Sequence, residues 1–323
     1  MTKKQASDIA ALIKKSHKIL LTTHINPDGD GLGSGSALVS VLSKMGKKVD
    51  FINRDPLPDI YRFLPSSGKI RNINKVKGCY DLAIFLECPD LARNGHIIDH
   101  IKQAKRTINI DHHLGNVMYG DLNVVEPKAA AVGMQLYQFM KFNGWKISKD
   151  VACGLYTAIV TDTGSFAYSN TSPEVHQVAA ELIKAGANPN QISGEVYATT
   201  LSSTRLMAKM LTALKFEGKA AWSVVTKKMF KETGAKESDT DNFINSIRSI
   251  RGVDIAVLFK EVTADSVKVS FRSKHGVDVN MIATELNGGG HKYASGCFIK
   301  KPVKEAEKLV VSEIRKYFKT RKK

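Results

Sequence analysis

The chain has 323 residues, 43% of them hydrophobic, which is enough for one large or two ordinary domains with a sizeable core. Its four cysteines show no Cys-x-x-Cys spacing, which argues against a zinc finger and against a disulfide scaffold. The formal net charge of +17 favours a polyanionic ligand, although a lysine-rich surface that only aids solubility would also explain it. The sequence contains neither a membrane-spanning apolar stretch nor a secretory signal at residues 1–5, so we expect a soluble cytoplasmic protein with no membrane partner.

Apolar runs alternate with segments of helical periodicity through the first half of the chain. Such alternation is typical of an α/β fold built on a doubly wound, mainly parallel sheet. Pro173 and Gly186 mark the start and the end of one helix. The predicted strands are residues 18–22, 48–52, 81–86 and 106–110, and the predicted helices are residues 32–45, 129–143 and 174–185.

The pattern changes near residues 186–190, where Gly, Asn and Pro interrupt the alternation. Residues 191–214 are predicted to form one connecting helix that acts as a hinge. Beyond it, strands at 220–226, 254–262 and 266–272 mix with helices near 278–286 and 303–318, which indicates a smaller α+β domain. The sequence thus predicts a first domain of residues 1–187, a helical linker of residues 188–214 and a second domain of residues 215–323.

Potential metal ligands follow the first predicted strand. His24, Asp28 and Asp30 are spaced His-x3-Asp-x-Asp and precede a helix that we predict to begin near Gly33. In open α/β sheets, ligands collect beyond the carboxyl ends of the strands. An ordinary polar turn would explain this motif alone, because Asn, Pro, Asp and Gly all favour turns.

Three further segments present the same residue types. Glu87 ends the strand at 81–86, Asp111-His112-His113 ends the strand at 106–110, and Asp162 follows the apolar helix at 151–160. Because a doubly wound fold brings such ends to one edge of the sheet, we expect these side chains to lie together. Carboxylate and imidazole ligands suit Mn²⁺ or Mg²⁺ better than a thiolate-binding ion.

These motifs resemble those of the DHH phosphoesterases, a family named after the triplet that stands here at residues 111–113. The match includes Thr161-Asp162-Thr163-Gly164, and the Gly-Gly-Gly-His run of residues 288–291 resembles the signature of the DHHA1 domain. The resemblance covers about residues 10–320, in the expected order. The chain is most similar to the nanoRNase / pAp phosphatase group, where pAp is adenosine 3′,5′-bisphosphate.

The resemblance implies two divalent cations, with Mn²⁺ expected and Mg²⁺ as the alternative. Glu87 stands where the family usually has a bridging Asp, and Asp90, three residues on, is the alternative bridge. One metal would be held by His24, Asp28 and the bridge, and the other by Asp30, the bridge, His112 and Asp162.

The resemblance also implies roles around the metals. His113 would contact the scissile phosphate, unless it is only a packed partner of Asp111, and Asp111 would orient His112. Arg93 would touch a phosphate, although a solvated arginine is nearly as well supported. In the second domain, exposed amides of a glycine loop would cradle a phosphate at the far end of the nucleotide. The residues implied there are Arg272, Gly288, Gly289, Gly290 and His291.

The activity implied is hydrolysis of short oligoribonucleotides (nanoRNA) to mononucleotides, and of pAp or linear and cyclic dinucleotides such as di-AMP. A homodimer would be usual for the family. A non-catalytic nucleotide sensor or RNA-binding module is one alternative, suggested only by Glu87. A RecJ-type single-strand exonuclease is another, although its added domain has no room here. Cleavage polarity and the role of the basic C-terminal tail are left open.

Overall fold

The computed structural model describes residues 1–72, 78–95, 97, 104–240, 242–274 and 276–320. The chain forms two compact units, residues 1–198 and residues 199–323. Among the helices described, none is long and apolar enough to cross a membrane.

A six-stranded sheet forms the centre of the first unit, in the order β3-β2-β1-β4-β5-β6. All the neighbouring pairs are parallel, so the predicted α/β fold is confirmed. The strand order reverses between β1 and β4, and the loops after these two strands therefore border a crevice at the carboxyl edge. The strands are β1 (Lys18–Thr22), β2 (Lys48–Asn53), β3 (Ile70–Asn72), β4 (Leu82–Leu86), β5 (Thr107–Asp111) and β6 (Leu122–Val125).

Apolar side chains cover the central strands on both faces. Every residue of β4 is buried, as expected for a parallel strand inside a doubly wound sheet. Leu21 and Ile84 belong to one apolar cluster, whereas Leu20 and Phe85 belong to another. The described helices of this unit are Lys3–Lys15, Gly29–Lys44, Val132–Phe142, Lys149–Asp162, Pro173–Lys184 and Pro189–Val196.

Two of these helices pack with their backbones almost in contact. A Cβ atom on Gly33 would collide with the carbonyl oxygen of Gly154, and a Cβ atom on Gly154 would collide with that of Gly33. Glycine is therefore required at both positions, because no side chain fits between the helices. The crossing fixes the helix Gly29–Lys44 against the helix Lys149–Asp162. The last residue of the second helix, Asp162, is itself a predicted metal ligand.

The first of these helices begins at Gly29, so the predicted start near Gly33 was wrong. Glycine disfavours helix, and the run Gly29-Asp30-Gly31 therefore resembles a turn when only propensity is considered. The Asp28 carboxylate caps this glycine-rich first turn and offsets its low propensity.

The second unit contains a mixed six-stranded sheet in the order β11-β12-β10-β9-β8-β7. Only β8 and β9 pair in parallel, and the resulting α+β unit agrees with the predicted fold class. Its strands are β7 (Lys215–Glu217), β8 (Ala220–Val225), β9 (Ile255–Thr263), β10 (Ser266–Ser273), β11 (Gly289–His291) and β12 (Ala294–Ile299). Its described helices are Leu201–Thr212, Lys227–Thr233, Phe243–Arg248, Val279–Glu285 and Val303–Thr320. The end of the basic tail, residues 321–323, lies outside the described residues.

The predicted continuous helix over residues 191–214 was wrong. The structure has two helices, Pro189–Val196 and Leu201–Thr212, separated by residues 197–200. The second helix has its own cap, since the Thr200 side chain accepts a hydrogen bond from the Ser203 amide at 3.0 Å. A Thr-x-x-Ser sequence inside an apolar pattern is thus a helix start that the periodicity alone did not indicate.

Candidate metal centre

The loop after β1 places His24 beside Asp28. His24 Nδ1 lies 2.6 Å from the Ile25 carbonyl oxygen, while Nε2 lies 3.6 Å from Asp28 Oδ2. Asp28 Oδ1 accepts hydrogen bonds from the amides of Asp30 and Gly31 at 3.0 and 3.2 Å. The start of the helix therefore fixes one carboxylate oxygen of Asp28 and leaves the other facing the imidazole.

Asp30 is buried and is held by a second helix. Its Oδ2 accepts a hydrogen bond from the Val132 amide at 2.6 Å, and its Oδ1 accepts one from the Gly133 amide at 2.9 Å. Asp30 thus caps the helix that begins at Val132, although it is distant in sequence. Nothing in the sequence indicated this cap, which sets the orientation of a predicted ligand.

The Glu87 carboxylate lies between two imidazoles. Its Oε2 is 3.6 Å from His24 Nε2, and its Oε1 is 3.7 Å from His112 Nε2. The side chain is buried, and its backbone has φ 56°, a left-handed conformation that ends β4 abruptly. One carboxylate oxygen facing each histidine is the arrangement that a bridging ligand needs.

His112 and Asp162 complete the cluster on the far side of Glu87. His112 Nδ1 lies 3.0 Å from the Ala129 carbonyl oxygen, which fixes the ring and leaves Nε2 directed at carboxylates. His112 Nε2 is 3.6 Å from Asp162 Oδ2 and 3.8 Å from Asp30 Oδ2. Asp162 is the last residue of its helix, so the close helix crossing at Gly33 and Gly154 positions it.

The donor set fits divalent cations. The potential ligand atoms of His24, Asp28 and Glu87 lie within 4.8 Å of one another, as do those of Asp30, His112 and Asp162. Within the part of the chain that the structure describes, Glu87 Oε2 is buried without a hydrogen-bond partner, and such a carboxylate oxygen is costly to bury unless a cation pairs with it. Carboxylate oxygens are donors that Mn²⁺ and Mg²⁺ favour, and imidazole nitrogens are donors that divalent transition-metal ions accept.

Asp90, the alternative bridge, lies apart from these groups. Its Oδ1 accepts a hydrogen bond from the Arg93 amide at 2.8 Å, which fixes the turn Ala92–Asn94. Among the described residues, the groups of potential ligands include Glu87 but not Asp90. The geometry therefore favours Glu87 as the bridging carboxylate.

Asp111 contacts the ring of His113 and only the backbone of His112, so its predicted role in orienting His112 stays a prediction. Asp111 Oδ1 lies 2.8 Å from His113 Nδ1, whereas it meets His112 only through the backbone amide, at 2.8 Å. The Ala129 carbonyl takes the place of Asp111 at the His112 ring. His113 also approaches Glu87 and His112 closely enough to be a potential ligand.

A buried amide network supports Asp111, and sequence reasoning missed it. Asn116 Nδ2 donates to Asp111 Oδ2 at 2.6 Å and to Asn109 Oδ1 at 2.7 Å. The Tyr119 hydroxyl and Asn109 Nδ2 both donate to the Cys88 carbonyl oxygen at 3.0 Å. The backbone next to Glu87 and the carboxylate behind His113 are thus tied to one rigid set of side chains.

The arrangement shifts the pKa values of its members strongly. Burial, together with the nearby carboxylates of Asp28 and Asp30, raises the pKa of Glu87 to about 8. Burial, with Asp30 next in effect, raises the pKa of Asp162 to about 7. Burial opposes the charged form of both site histidines. Even so, contacts with Asp28 and Glu87 raise the pKa of His24 to about 11, and contacts with Glu87 and Asp30 do the same for His112.

Cation binding is therefore expected to release protons. With pKa values near 11, His24 and His112 are protonated in the metal-free protein at neutral pH, and a cation must displace those protons from Nε2. Because raising the pH weakens this competition, we expect the Kd for Mn²⁺ to fall about tenfold or more per pH unit between pH 6 and pH 8. Calorimetry in two buffers with different ionisation enthalpies measures the protons released, and a Kd independent of pH would contradict this assignment.

Arg93 lies next to the loop of His24. Its backbone carbonyl oxygen accepts a hydrogen bond from the Ile25 amide at 2.7 Å, and its side chain is exposed. The structure therefore brings Arg93 to the edge of the cluster.

The glycine run of the second unit ends in a strand and is not an open loop, while phosphate binding by its backbone amides stays a prediction. Gly289, Gly290 and His291 form β11, which pairs with β12 at the edge of the sheet. A Cβ atom on Gly290, at φ 145°, would meet the Ala294 carbonyl oxygen at 2.6 Å, whereas nothing lies within 4 Å of one on Gly289. Close pairing of the two strands thus explains Gly290, and Gly289 borders open space.

The other predicted residues of this unit are Gly288, Arg272 and His291. A Cβ atom on Gly288 would collide with the Gly296 carbonyl oxygen, so the tight hairpin accounts for this glycine as well. Arg272, on β10, is half-buried and donates from Nη1 to the Phe271 carbonyl oxygen at 3.0 Å. The side chain of His291 lies outside what the structure describes.

Comparison with known proteins identifies the two units. Residues 18–159 match the family model of the DHH family N-terminal domain, and residues 219–320 match that of the DHHA1 domain. The chain is 33% identical over 283 residues to the bifunctional oligoribonuclease and PAP phosphatase NrnA of Thermus thermophilus, covering 87% of this chain and 84% of the relative. It is 31% identical over 287 residues to the protein of the same name from Bacillus subtilis, covering 87% and 89%.

A solved structure supports the same relationship across both units. An exopolyphosphatase-related protein from Bacteroides fragilis has a TM-score of 0.94 and 26% identity, covering 100% of this chain and 98% of that chain. The resemblance indicated by the Asp-His-His and Gly-Gly-Gly-His motifs is thereby confirmed. The chain belongs to the DHH phosphoesterase family, whose members depend on divalent metals, and it is a hydrolase of that family with a DHHA1 second domain.

Proposed function

We propose that the protein hydrolyses short oligoribonucleotides to mononucleotides, and pAp to AMP, with two divalent cations. The observation that carries the proposal is the position of Glu87, whose carboxylate oxygens face His24 and His112 at 3.6 and 3.7 Å. Glu87 is thus a potential ligand together with His24 and Asp28 on one side and with His112 and His113 on the other. The relatives named oligoribonuclease and PAP phosphatase support this choice of substrates, and linear and cyclic dinucleotides share the same phosphodiester chemistry.

Each cation would have its own ligands in addition to Glu87. His24 and Asp28 would hold one cation, and Asp30, His112 and Asp162 would hold the other. When bound, such a pair neutralises charge on the phosphate oxygens and makes water a better nucleophile at neutral pH. Mn²⁺ suits this mixture of imidazole and carboxylate ligands better than Mg²⁺, which keeps more of its own waters.

His113 would act on the phosphate itself. Its Nδ1 faces Asp111 at 2.8 Å, so its Nε2 is the atom able to donate to a phosphate oxygen or to carry a proton. Asp111 is a positioning residue here, because it holds the imidazole and is in turn held by Asn116.

Short RNA is a cytoplasmic substrate, and we therefore propose that the enzyme acts in the cytoplasm.

Replacing His113 is expected to reduce turnover without weakening cation binding. For His113→Ala we expect kcat to fall about a hundredfold, the lower end for a lost proton-transfer group. For Asp111→Asn we expect a loss of about 10- to 100-fold, because the imidazole loses its fixed orientation. Turnover of a dinucleotide and the Kd for Mn²⁺ are measured for both variants. A large rise of the Kd for His113→Ala would instead make His113 a metal ligand.

Phosphate contacts are also proposed outside the potential metal ligands. Arg93, exposed beside the His24 loop, would bind a phosphate oxygen. For the second unit, taken by itself, we propose Arg272, His291 and the backbone of Gly288, Gly289 and Gly290 as nucleotide contacts. Gly289 supports this role best, because no described residue lies within 4 Å of its ideal Cβ position.

The test is hydrolysis of a substrate panel with Mn²⁺ and with chelator. The panel holds RNAs of two to ten nucleotides, pAp, and linear and cyclic di-AMP. We expect Mn²⁺-dependent release of mononucleotides, fastest on the shortest RNAs, and a separate turnover of pAp. Fastest cleavage of the longest strands would favour a RecJ-type exonuclease. Bound Mn²⁺ and bound nucleotide with no turnover of any substrate would establish a non-catalytic sensor instead.

A further inference from the structure

Two half-exposed tyrosine rings lie on the turn that follows the predicted ligand Asp162. Tyr168 is 42% exposed and Tyr197 is 47% exposed. Large aromatic rings bury much apolar surface when they pack in a core, so exposure of both rings needs an explanation. Tyr168 belongs to the turn itself, and Tyr197 reaches it from the end of the helix Pro189–Val196. Exposed aromatic rings beside a phosphate-binding site are suited to nucleobases, because every base has a face that stacks.

The backbone of this turn is held in an unusual conformation. Gly164, Ser165 and Phe166 have φ values of 55°, 58° and 65°, so three consecutive residues are left-handed. Such a conformation persists only where the surroundings enforce it. The Phe166 ring anchors the turn by stacking on the His176 ring, with centroids 5.2 Å apart.

The two tyrosines are fixed to this rigid turn in different ways. The Ser165 hydroxyl is 2.6 Å from the Tyr197 hydroxyl, so Tyr197 is tethered at its polar tip while its ring stays half-exposed. A Cβ atom on Gly164 would meet three atoms of the Tyr168 ring, which shows that this ring lies directly on the Gly164 backbone. Both rings are thus pre-positioned, and ordering them on a ligand costs little entropy.

Tyr197 also approaches the other side of the cluster. Its helix, Pro189–Val196, packs against the turn Asp59–Tyr61. Burial raises the pKa of Tyr61 above its ordinary value, and the next causes are the nearby Asp28 and Tyr197. Tyr197 is therefore hydrogen-bonded to Ser165, just after Asp162, and the helix that precedes it packs against the turn that contains Tyr61.

We propose that Tyr168 and Tyr197 form an aromatic subsite that stacks the nucleobase next to the scissile phosphate. The inference rests on the proposed function, which supplies a phosphate at the metal cluster. It goes further by assigning the base, which none of the predicted ligands contacts. Stacking is tolerant of sequence, so this subsite would accept short RNAs of any composition and pAp alike.

The test separates base binding from turnover. Affinity for a non-hydrolysable dinucleotide is measured by calorimetry on the full chain, alongside kcat and KM for the cleavable dinucleotide and for an analogue that lacks the adjacent base. For Tyr197→Leu and Tyr168→Leu we expect the affinity to fall by about 5- to 150-fold, the range for one lost stacking contact. We expect kcat/KM for the base-free analogue to stay within twofold of the wild type.

Two control variants distinguish stacking from a structural effect. Tyr197→Phe keeps the ring and loses only the Ser165 tether, so its affinity should fall less than threefold. Phe142→Leu removes a similarly exposed aromatic ring, 44% exposed, from another helix of the same unit and should change neither affinity nor turnover. An equal loss on both substrates, or unchanged affinity in both leucine variants, would overturn the subsite. If wild type binds the dinucleotide without cleaving it, only the proposed hydrolysis fails.

Discussion

Glu87→Gln is expected to lower kcat with Mn²⁺ about a thousandfold and to abolish the stabilisation of the protein by Mn²⁺. The Glu87 carboxylate belongs to the group of His24 and Asp28 and also to the group of His112 and His113, and among the described residues its Oε2 has no hydrogen-bond partner. A neutral amide cannot replace it, and loss of the shared charge costs about 4 kcal/mol of transition-state stabilisation. Steady-state kinetics on a dinucleotide and thermal unfolding with and without Mn²⁺ measure the two effects.

The same substitution should have the opposite effect on the metal-free protein. Burial, with Asp28 and Asp30 nearby, raises the pKa of Glu87 from 4.5 to about 8. Because the pKa is higher in the folded state, the metal-free wild type should lose stability as the pH rises from 4.5 towards 8. The glutamine variant lacks this charge, so its metal-free Tm at pH 8 should exceed that of the wild type.

Glu87→Asp is the matched control, since the family usually has Asp at this position. It keeps the charge, and Asp tolerates the left-handed backbone at φ 56° better than Glu does. We expect this variant to retain Mn²⁺-dependent turnover within about tenfold of the wild type. Comparable losses in the Gln and Asp variants would show that the length of the side chain matters, and would contradict the role assigned to its charge.

Gly33→Ala is expected to destabilise the first unit by about 3 kcal/mol and to weaken Mn²⁺ binding at the same time. The new Cβ atom would collide with the Gly154 carbonyl oxygen and come within 2.9 Å of the Ala158 amide nitrogen. Backbone atoms cannot move aside as a side-chain end can, so the helices must separate. Separation moves Asp28 and Asp30 away from Asp162. Urea unfolding gives the free energy, and calorimetry gives the Kd for Mn²⁺.

Gly194→Ala provides the control for helical glycines. Gly194 lies within the helix Pro189–Val196, and nothing lies within 4 Å of its ideal Cβ position. Alanine there should leave stability unchanged or raise it by about 0.5 to 1 kcal/mol, because it restricts the unfolded chain. If Gly33→Ala behaved like Gly194→Ala, the close crossing would not be what positions the ligands.

Residue type and spacing were sufficient to predict that the potential ligand groups lie together, because they follow strand ends that the fold must bring to one edge. His24, Glu87 and His112 follow β1, β4 and β5, three neighbouring strands whose apolar runs are clear in the sequence. Strand order reverses between β1 and β4, which is where such folds bind ligands. The family resemblance was needed to assign the ligands to particular metals.

Contacts made by the backbone could not be predicted. The Ala129 carbonyl fixes His112, and the Val132 and Gly133 amides fix Asp30. Because residues of every type have a backbone carbonyl and nearly all have an amide, the residue type does not indicate such contacts. The strand β12 was missed although its six residues equal the length of β2 and β8. The strands β3, β6, β7 and β11 were also missed, because three or four residues are too few to show a period. The glycine run at 288–290 was mistaken for a loop for this reason.

The wide spacing of the ligand groups along the chain has a consequence for biosynthesis. His24 is made early, whereas Asp162 ends a helix that follows the last strand of the first sheet. An N-terminal fragment that ends before Asp162 lacks at least one predicted ligand. The cluster can form only after the two helices that cross at Gly33 and Gly154 have packed. A nascent chain that has not yet reached Asp162 therefore lacks one of the predicted ligands, and the complete cluster can form only after most of the first unit has been synthesised.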